Sequence, residues 1–253
     1  MIAPSESVVG ASAPVPTRFT LRRQAPVPSV DAVPVSDPPV SAVAAVPRRT
    51  LFDLTKRGVD ILVASLGLIV LAPLVPVIAM AIYVESPGPV FFRHHRLGRA
   101  RRRFAMLKFR SMHTDAEAML HADEELHAAF KANGYKFPAG EDPRITRVGS
   151  LLRATSLDEL PQLFNVLRGD MSLIGPRPPI IDQVTELYGD DEHFYFAVRP
   201  GLTGLWQVSG RSDLSPDQRR QLDIQYVQGR SVRTDLRILV KTVPAVLRQD
   251  GAC

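Results

Sequence analysis

The chain contains a single cysteine, Cys253, which is the last of its 253 residues. An internal disulfide is therefore excluded, and so is a zinc site built from several cysteines. The six histidines are scattered and form no H-E-x-x-H pair, so the zinc-protease pattern is absent too. A chain without an internal disulfide suits a reducing compartment such as the cytoplasm. These absences leave carboxylates and basic side chains as the candidates for chemistry.

Acidic residues are fewer than basic ones, 26 against 31, which gives a net charge of +5 and a pI of about 9.6. This balance favours an anionic partner: a phosphate-bearing ligand, a nucleic acid or an anionic membrane face. The length suits one domain with a tail.

Residues 1–47 are rich in Pro, Ala, Val and Ser and show no apolar repeat at helical or strand spacing. Such a segment cannot bury enough surface to offset its ordering entropy, so we predict a disordered tail. It also lacks the uninterrupted apolar core of a signal peptide, and nothing in it marks the chain for export. The predicted folded domain is therefore 48–253.

The segment from Ile61 to Val84 carries no charge. As a helix it would reach roughly 36 Å, enough for a bilayer core. Pro73 and Pro76 interrupt it, and both flanks are rich in arginine and lysine, which favour the cytoplasmic side of a membrane. We predict a re-entrant membrane helix over 58–85 that breaks at these prolines and returns to the cytoplasmic side. A single span with a proline kink is the alternative.

Short strands in "PVFF" and "RFAMLKF" are predicted to form a hairpin, joined by a loop from Gly98 to Arg103. The arginine run in this loop is interpreted as a contact for phospholipid headgroups. Further on, Thr114 with Glu117 three residues later is typical of a capping box. It predicts a helix that runs to about Ala132 and ends at the Asn-Gly pair that follows.

The stretch "SLDELPQLFNVLRGDMSLIGPRP" places two acids, Asp158 and Glu159, side by side. As "SLDE" they suit a second capping box with Ser156 as N-cap, and on the pair alone this reading is the more frequent one. An acid at a helix N-terminus is favoured as an anion, and an ionised carboxylate can attack phosphorus. Adjacent helical residues diverge by about 100°, so one acid could attack while the other holds Mg²⁺.

The residues after the acids have apolar side chains at helical spacing: Leu160, Leu163, Phe164 and Leu167. This pattern predicts a helix that packs against the core through these side chains.

An anionic nucleophile that approaches a phosphate needs cations nearby. Arg177 lies between two prolines, whose stiff backbone can present its guanidinium as a fixed fork to phosphate. Each cation alone has an alternative reading as a surface side chain. The candidates are Lys108, Arg110, Arg147, Arg153, Arg177 and Arg211.

Taken together, the stretch of the two acids and the strings "KFRSM", "DPRITRVGSLLR", "RPGLTGLWQVSGRS", "DIQYV" and "TDLRILVKTV" resemble the bacterial sugar transferase family. These are polyprenyl-phosphate hexose-1-phosphate transferases, also called monotopic phosphoglycosyl transferases. The resemblance covers about residue 50 to the C-terminus. It implies transfer of a sugar-1-phosphate from a UDP-sugar, UDP-glucose or UDP-galactose in the polysaccharide-initiating branch, to undecaprenyl phosphate. UMP is released, and synthesis of an exopolysaccharide or another surface glycan begins.

The resemblance also implies roles for individual residues. Asp158 matches the nucleophile that forms a covalent phospho-sugar intermediate, and Glu159 matches its acidic partner associated with Mg²⁺. Pro73 matches the break of the family's re-entrant helix. Where the family commonly has Gln in "F-x-Q-x-R-x-G", this chain has two histidines, and the resemblance implies His95 at the Gln position. The predicted phosphate- or substrate-binding set is Lys108, Arg110, Arg153, Arg177, Arg211 and Asp235.

The expected fold is helix-rich α+β, monotopic, with a cytoplasmic catalytic part over 86–253 that contains a small β element. The expected partners are a UDP-sugar, undecaprenyl phosphate and the bacterial inner membrane; nucleic acid is not expected, and a homodimer stays open. Two rival functions remain at this point: a membrane-bound module that binds anionic lipid or nucleic acid, and a non-catalytic scaffold of a polysaccharide assembly complex. The first needs no Asp158, and the second survives its replacement by asparagine.

Overall fold

Two helices separated by a proline break open the described part of the chain: α1, Thr50–Leu71, and α2, Leu74–Glu85. The computed structural model describes residues 50–132, 137, 140–181, 184, 188–210 and 214–247, so the predicted tail lies outside the described residues. Among these residues no single helix is long and apolar enough to cross a membrane, although α1 and α2 together pass that test.

The axes of α1 and α2 are bent by 61°. Pro73 occupies the N-cap position of α2, which confirms the predicted helix break. Pro76 lies in the first turn of α2, where a missing N–H costs nothing, so it does not break the helix. The helix already includes Thr50, well before the predicted residue 58, and its first turns carry Lys56 and Arg57, which bind Asp235 and Val166.

A β-hairpin follows: β1, Phe91–Leu97, pairs antiparallel with β2, Arg103–Phe109. The predicted hairpin is confirmed, with β1 extending further along the chain than "PVFF". Within the connecting loop, Arg101 donates to Glu192 Oε2 at 2.6 Å and lies over the ring of Phe196. That arginine therefore contacts protein, whereas Arg99 and Arg102 are exposed.

The helix predicted from Thr114 to Ala132 is two helices, α3, Ala116–Ala122, and α4, Glu124–Ala132. The capping box is wrong, because the N-cap residue of α3 is Asp115, and its side chain makes no capping hydrogen bond. Asp123 separates the helices: its Oδ1 accepts a hydrogen bond from the Leu126 N–H at 2.9 Å and thereby starts a new helix. The described part of α4 reaches Ala132, and the predicted stop at the Asn-Gly pair lies outside the described residues.

Helix α6, Gln162–Arg168, packs against α1, β2 and the strand β3, Ser172–Ile174. β3 pairs parallel with β4, Gly201–Thr203, so the described residues form two small sheets and the helix-rich α+β prediction is confirmed. The other elements are α5, Arg147–Ala154; a 3₁₀ turn, Leu157–Glu159; a 3₁₀ turn, Gly189–Asp191; α7, Glu192–Ala197; a 3₁₀ turn, Trp206–Val208; α8, Pro216–Gly229; and α9, Val232–Leu247.

Helix α6 packs into the core through Leu163 and Val166, beside Ala64 of α1 and Met106 of β2. The predicted apolar stripe is wrong in part, because Phe164 is 49% exposed. The helix instead buries Gln162 and Asn165 together with Leu163 and Val166. The buried face of α6 is therefore shifted by one residue from the face that the apolar pattern predicts.

Polar contacts fix α1 against α6 and β3. Arg57 donates to the carbonyl oxygens of Val166 and Leu167 at 2.6 and 2.8 Å, the last turn of α6, where cations are favoured. Asp60, almost fully buried, accepts from Ser172 Oγ and from the Leu173 N–H. The helix before the break is thus joined directly to the helix that follows the two acids.

Candidate active site

The two acids lie in the 3₁₀ turn Leu157–Glu159, between α5 and α6. Ser156 precedes the turn with a left-handed backbone, φ 57°, and its side chain makes no capping hydrogen bond. The predicted capping box is therefore wrong, since an N-cap residue needs an extended backbone to aim its oxygen at the next N–H groups. The left-handed residue turns the chain sharply and places Asp158 inside, where it is 6% exposed.

Lys108, near the end of β2, bridges the two acids. Its Nζ lies 2.7 Å from Glu159 Oε1 and 3.8 Å from Asp158 Oδ2. Arg177 adds a second cation, with Nη2 at 3.4 Å from the same Glu159 oxygen. Two cations and two carboxylates from three separate parts of the sequence therefore meet at one place.

The pKa values of the two carboxyl groups shift in opposite directions. Burial raises the pKa of Asp158, although the nearby Lys108 offsets part of that effect. For Glu159, burial is outweighed by Lys108 and Arg177, which lower its pKa to about 2. The expectation that a helix N-terminus favours the Asp158 anion is wrong, because the residue lies in a buried 3₁₀ turn before α6. When ionised, Asp158 is instead a poorly hydrated carboxylate.

His94 and Arg96, which are not among the residues predicted to form the site, belong to the same cluster. In the hairpin Phe92 opposes Lys108, His94 opposes Met106 and Arg96 opposes Phe104, so these side chains share one face. Burial is the main cause that lowers the pKa of His94 to about 4, and the positive charges of Arg96, Lys108 and Arg177 act in the same direction. The imidazole is therefore neutral at physiological pH. Alternation along the hairpin could have revealed this face.

The assignment of His95 to the family's Gln position is wrong. His95 is exposed, and counting back from Gly98 in "F-x-Q-x-R-x-G" places His94 at that position. Arg96 at the motif's arginine is 8% exposed, and burial lowers its pKa to about 10, which leaves it charged.

The other predicted residues lie around the cluster or apart from it. Arg110 donates to the carbonyl oxygen of Ser86, and Arg153 donates to Ser111 Oγ at 2.9 Å, close enough to Asp158 to lower its pKa. Asp235 lies in a separate network: it pairs with Lys56 at 2.6 Å and accepts from the Tyr226 hydroxyl at 2.9 Å. Arg211 lies outside the described residues. The structure thus groups Lys108, Arg153 and Arg177 with the acids.

No group of three or more His, Cys, Asp or Glu side chains that could hold a metal occurs within the described ranges. Mg²⁺ nevertheless commonly binds proteins through one or two carboxylates, with substrate phosphate oxygens and water completing its six ligands. The adjacent carboxylates of Asp158 and Glu159 fit that mode, and they do not fit a metal cage made by protein alone.

Known proteins with similar sequences were found. An exopolysaccharide production protein ExoY from Sinorhizobium fredii is 43% identical over 211 residues, which is 81% of this chain and 90% of that protein. A UDP-glucose:undecaprenyl-phosphate glucose-1-phosphate transferase from Caulobacter vibrioides is 41% identical over 81% of this chain and 74% of its own length. An undecaprenyl-phosphate galactose phosphotransferase from Salmonella typhimurium is 44% identical over 78% of this chain, but only 41% of that protein is covered.

Residues 51–249 match the family described as bacterial sugar transferase. The matched range contains both acids, the bridging lysine and the Pro-Arg-Pro loop, so family and geometry identify the same part of the chain. The chain belongs to the bacterial sugar transferase family.

Proposed function

We propose that this protein transfers a hexose-1-phosphate from a UDP-sugar, UDP-glucose or UDP-galactose, to undecaprenyl phosphate at the cytoplasmic face of the inner membrane. Its product would begin an exopolysaccharide or another surface glycan. The observation that carries the proposal is the bridging of Asp158 and Glu159 by Lys108, with Arg177 beside them. The names of the relatives support the same substrate class.

In the first half-reaction an ionised oxygen of Asp158 attacks the β-phosphorus of the UDP-sugar. The bond from that phosphorus to the bridging oxygen breaks, and UMP leaves with the electron pair. Lys108 and Arg177 are placed to stabilise the charge that develops on the phosphate oxygens, which is usually the largest contribution in such sites. Glu159, with Asp158 beside it, is the group we expect to hold Mg²⁺, whose charge would neutralise phosphate oxygens.

In the second half-reaction a phosphate oxygen of undecaprenyl phosphate attacks the phosphorus held on Asp158. The aspartyl–phosphorus bond breaks, the carboxylate is regenerated, and the product is undecaprenyl diphosphate-hexose. This step needs the lipid phosphate near the acids. A protein held at the bilayer surface gains that proximity because the acceptor's headgroup already lies there.

An apolar groove lined in part by the two residues that follow the acids supports a lipid acceptor. The groove, about 300 Å³ in volume, lies between the α1–α2 break, the open end of the hairpin and the start of α6. Leu160 and Pro161, directly after the acids, form one wall. The other main lining residues are Leu71, Leu74, Ile78, Phe91, Phe109 and Phe164. We propose that the isoprenoid segment next to the phosphate lies here.

The surface of α1 and α2 supports membrane attachment. Many of their apolar side chains are between 55% and 74% exposed, far more than a water-facing helix pair usually shows. Such a surface is expected where lipid replaces water. The most exposed include Leu54, Leu62, Leu66, Ile69, Val70, Val77, Met80 and Val84.

The decisive experiment uses purified protein in lipid nanodiscs with Mg²⁺, undecaprenyl phosphate and a panel of UDP-sugars, and measures UMP release and lipid product. We expect turnover with UDP-glucose or UDP-galactose. With donor alone, mass spectrometry should show a phospho-hexose adduct on Asp158. Asp158→Asn should lower UMP release by about 10⁴-fold or more, the cost of losing a covalent nucleophile.

The same measurements separate the rival functions. A scaffold or an anionic-lipid or nucleic-acid binding module would show no UMP release, and Asp158→Asn would leave its binding unchanged. Turnover without an adduct, and with Asp158→Asn fully active, would overturn the covalent route.

A further inference from the structure

The Pro-Arg-Pro loop is attached to the β1–β2 hairpin by contacts with its backbone. Arg96 Nη1 donates a buried hydrogen bond to the carbonyl oxygen of Pro178 at 3.1 Å. The Leu97 N–H donates to the carbonyl oxygen of Pro179 at 3.4 Å, and an isolated antiparallel bridge joins Arg96 to Ile180. The residue directly after the arginine of the loop is therefore held by a side chain of β1.

The other side of the loop is held by β4. The Gly201 N–H donates to the carbonyl oxygen of Pro176 at 2.8 Å, and the Gly175 N–H donates to that of Thr203 at 2.9 Å. A Cβ added at Gly175 would lie 2.6 Å from the carbonyl oxygen of Arg199, which is closer than real Cβ contacts allow. Because the loop already lies this close to β4, the contact with Arg96 fixes its remaining side.

The backbone determines where the guanidinium of Arg177 lies. Within the described residues this side chain makes one polar contact, from Nη2 to Glu159 Oε1 at 3.4 Å. Lys108 of β2 approaches the same oxygen at 2.7 Å. The hairpin that supplies Lys108 also holds the loop that supplies Arg177, so Arg96 sets the relative position of the two cations.

The donors of Arg96 face protein rather than the open site. The residue is 8% exposed, and its Nε is buried. Nη1 binds the carbonyl oxygen of Pro178, and Nη2 lies 3.4 Å from His94 Nδ1. Since a guanidinium only donates hydrogen bonds, Nδ1 of His94 is the acceptor and the ring proton lies on Nε2. Both terminal nitrogens of Arg96 are thus oriented by neighbouring groups.

The position of Arg96 beside another cation has a cost. Burial is the main cause that lowers the pKa of Arg96 to about 10, and the positive charge of Arg177 acts in the same direction. Two guanidinium groups that repel each other are a poor device for stability alone. An anionic phosphate bound at Arg177 offsets this repulsion, so the arrangement suits a phosphate site.

We propose that Arg96 is a positioning residue that fixes the Pro-Arg-Pro loop on the hairpin through the Pro178 carbonyl, so that the Arg177 guanidinium lies at the sugar-phosphate site. Arg96 itself does not touch the substrate. The inference rests on the proposed function, in which Arg177 stabilises the donor's phosphates.

The test is a double-mutant cycle on UMP release, with Arg96→Met, Arg177→Ala and the double variant in nanodiscs. Arg96→Met removes the donors but keeps an unbranched side chain. It should lower kcat/KM for the UDP-sugar by about 10- to 100-fold, the cost of a misplaced group. In the Arg177→Ala background the same change should have little further effect, because it acts through Arg177.

Two companion variants complete the design. Arg96→Lys keeps one donor for the Pro178 carbonyl and should lose clearly less activity than Arg96→Met. Arg168→Met makes the same chemical change at the exposed end of α6 and should leave kcat/KM unchanged, because it removes only a surface ion pair with Asp170. If Arg96→Met fails to fold, Arg96→Gln, whose shorter side chain ends before the Pro178 carbonyl, replaces it in the cycle.

Equal losses from the Arg96 change with and without the Arg177 guanidinium would overturn the inference, since support of the fold alone is independent of that group. Failure of the proposed function gives a different result: the unmodified protein itself would release no UMP from any UDP-sugar.

Discussion

At the scale of single residues, the surroundings of Asp158 determine its chemistry more than its place in the sequence does. Burial raises the pKa of its carboxyl group, and Lys108 at 3.8 Å is the largest influence in the opposite direction. A poorly hydrated carboxylate beside a cation is reactive when ionised, but it stays ionised only above its raised pKa. The pH profile of adduct formation therefore reports on this arrangement.

Replacing Lys108 by methionine should move the acid limb of that profile to higher pH. Catalysis needs ionised Asp158, so activity is present above its pKa and is lost as the pH falls through it. Without Lys108 that pKa rises further, and the rate on the plateau should fall by about 10²-fold, as for other lost charge stabilisation. Single-turnover UMP release measured across pH 4 to 9 checks both effects.

Lys108→Arg is the matched control, because it keeps the positive charge. Its acid limb should stay near that of the unmodified protein. If Lys108→Met lowers the plateau rate but leaves the acid limb at the same pH, the lysine does not influence the ionisation of Asp158.

At the scale of elements, the end of α2 and the start of α5 are joined directly. Both Glu85 carboxylate oxygens accept backbone hydrogen bonds, from Arg147 at 2.7 Å and from Val148 at 2.8 Å. Thr146 Oγ1 caps the next N–H, that of Gly149. Since α5 leads into the turn of the two acids, the helix pair with the proline break helps to position that turn.

Glu85→Ala should therefore destabilise the protein by about 1–2 kcal/mol, as expected for a lost helix cap. Thermal unfolding in nanodiscs should show the change as a Tm lower by a few degrees. UMP release should fall as well, because the turn of the acids loses part of its support.

Glu117→Ala is the control for Glu85→Ala, since Glu117 lies exposed in the first turn of α3. It should leave Tm and UMP release nearly unchanged. Equal effects of the two substitutions would contradict the capping role of Glu85.

At the scale of the whole molecule, α9 has an exposed apolar surface of its own, in addition to that of α1 and α2. One stripe of α9 consists of Val232, Leu236, Val240 and Val243, each between 58% and 64% exposed, while Ile238 on the other side is fully buried. Arg233, Arg237 and Lys241 lie exposed beside the stripe. This is the pattern of a helix that lies at an anionic membrane surface. Lys56 of α1 pairs with Asp235 of α9 at 2.6 Å, which links the two helices.

We expect a fluorophore on Val240→Cys, with Cys253 replaced by serine, to be quenched by brominated lipids in anionic vesicles. A label on Gln221→Cys, exposed on α8, is the control and should be quenched much less. Equal quenching at the two positions would show that α9 does not lie on the membrane.

The predicted re-entrant course of α1 and α2 needs a separate experiment. If α1 and α2 form a re-entrant element, cysteines placed at positions 50 and 95 in intact cells are both protected from an impermeant thiol reagent and react after permeabilisation. Labelling of only one of them from outside would establish a single kinked span. The 61° bend at Pro73 is the structural feature that makes the re-entrant form reasonable.

The sequence by itself determined the features that depend on neighbours along the chain. The break at Pro73 follows from a missing backbone donor, and the hairpin follows from two short strand-like runs joined by a loop. The stretch of the two acids together with the other quoted strings identifies the family. Local capping rules were less reliable. They predicted caps at Thr114 and Ser156, where the backbone follows other contacts.

Only the tertiary structure decided which charges meet. Lys108 contacts Glu159, which is 51 residues away in the sequence, and Arg96 donates to the carbonyl oxygen of Pro178, 82 residues away. Asp235 pairs with Lys56 and therefore does not join the acids. The physical reason is that burial and charge pairing depend on distances through space, which folding sets and which no local pattern encodes.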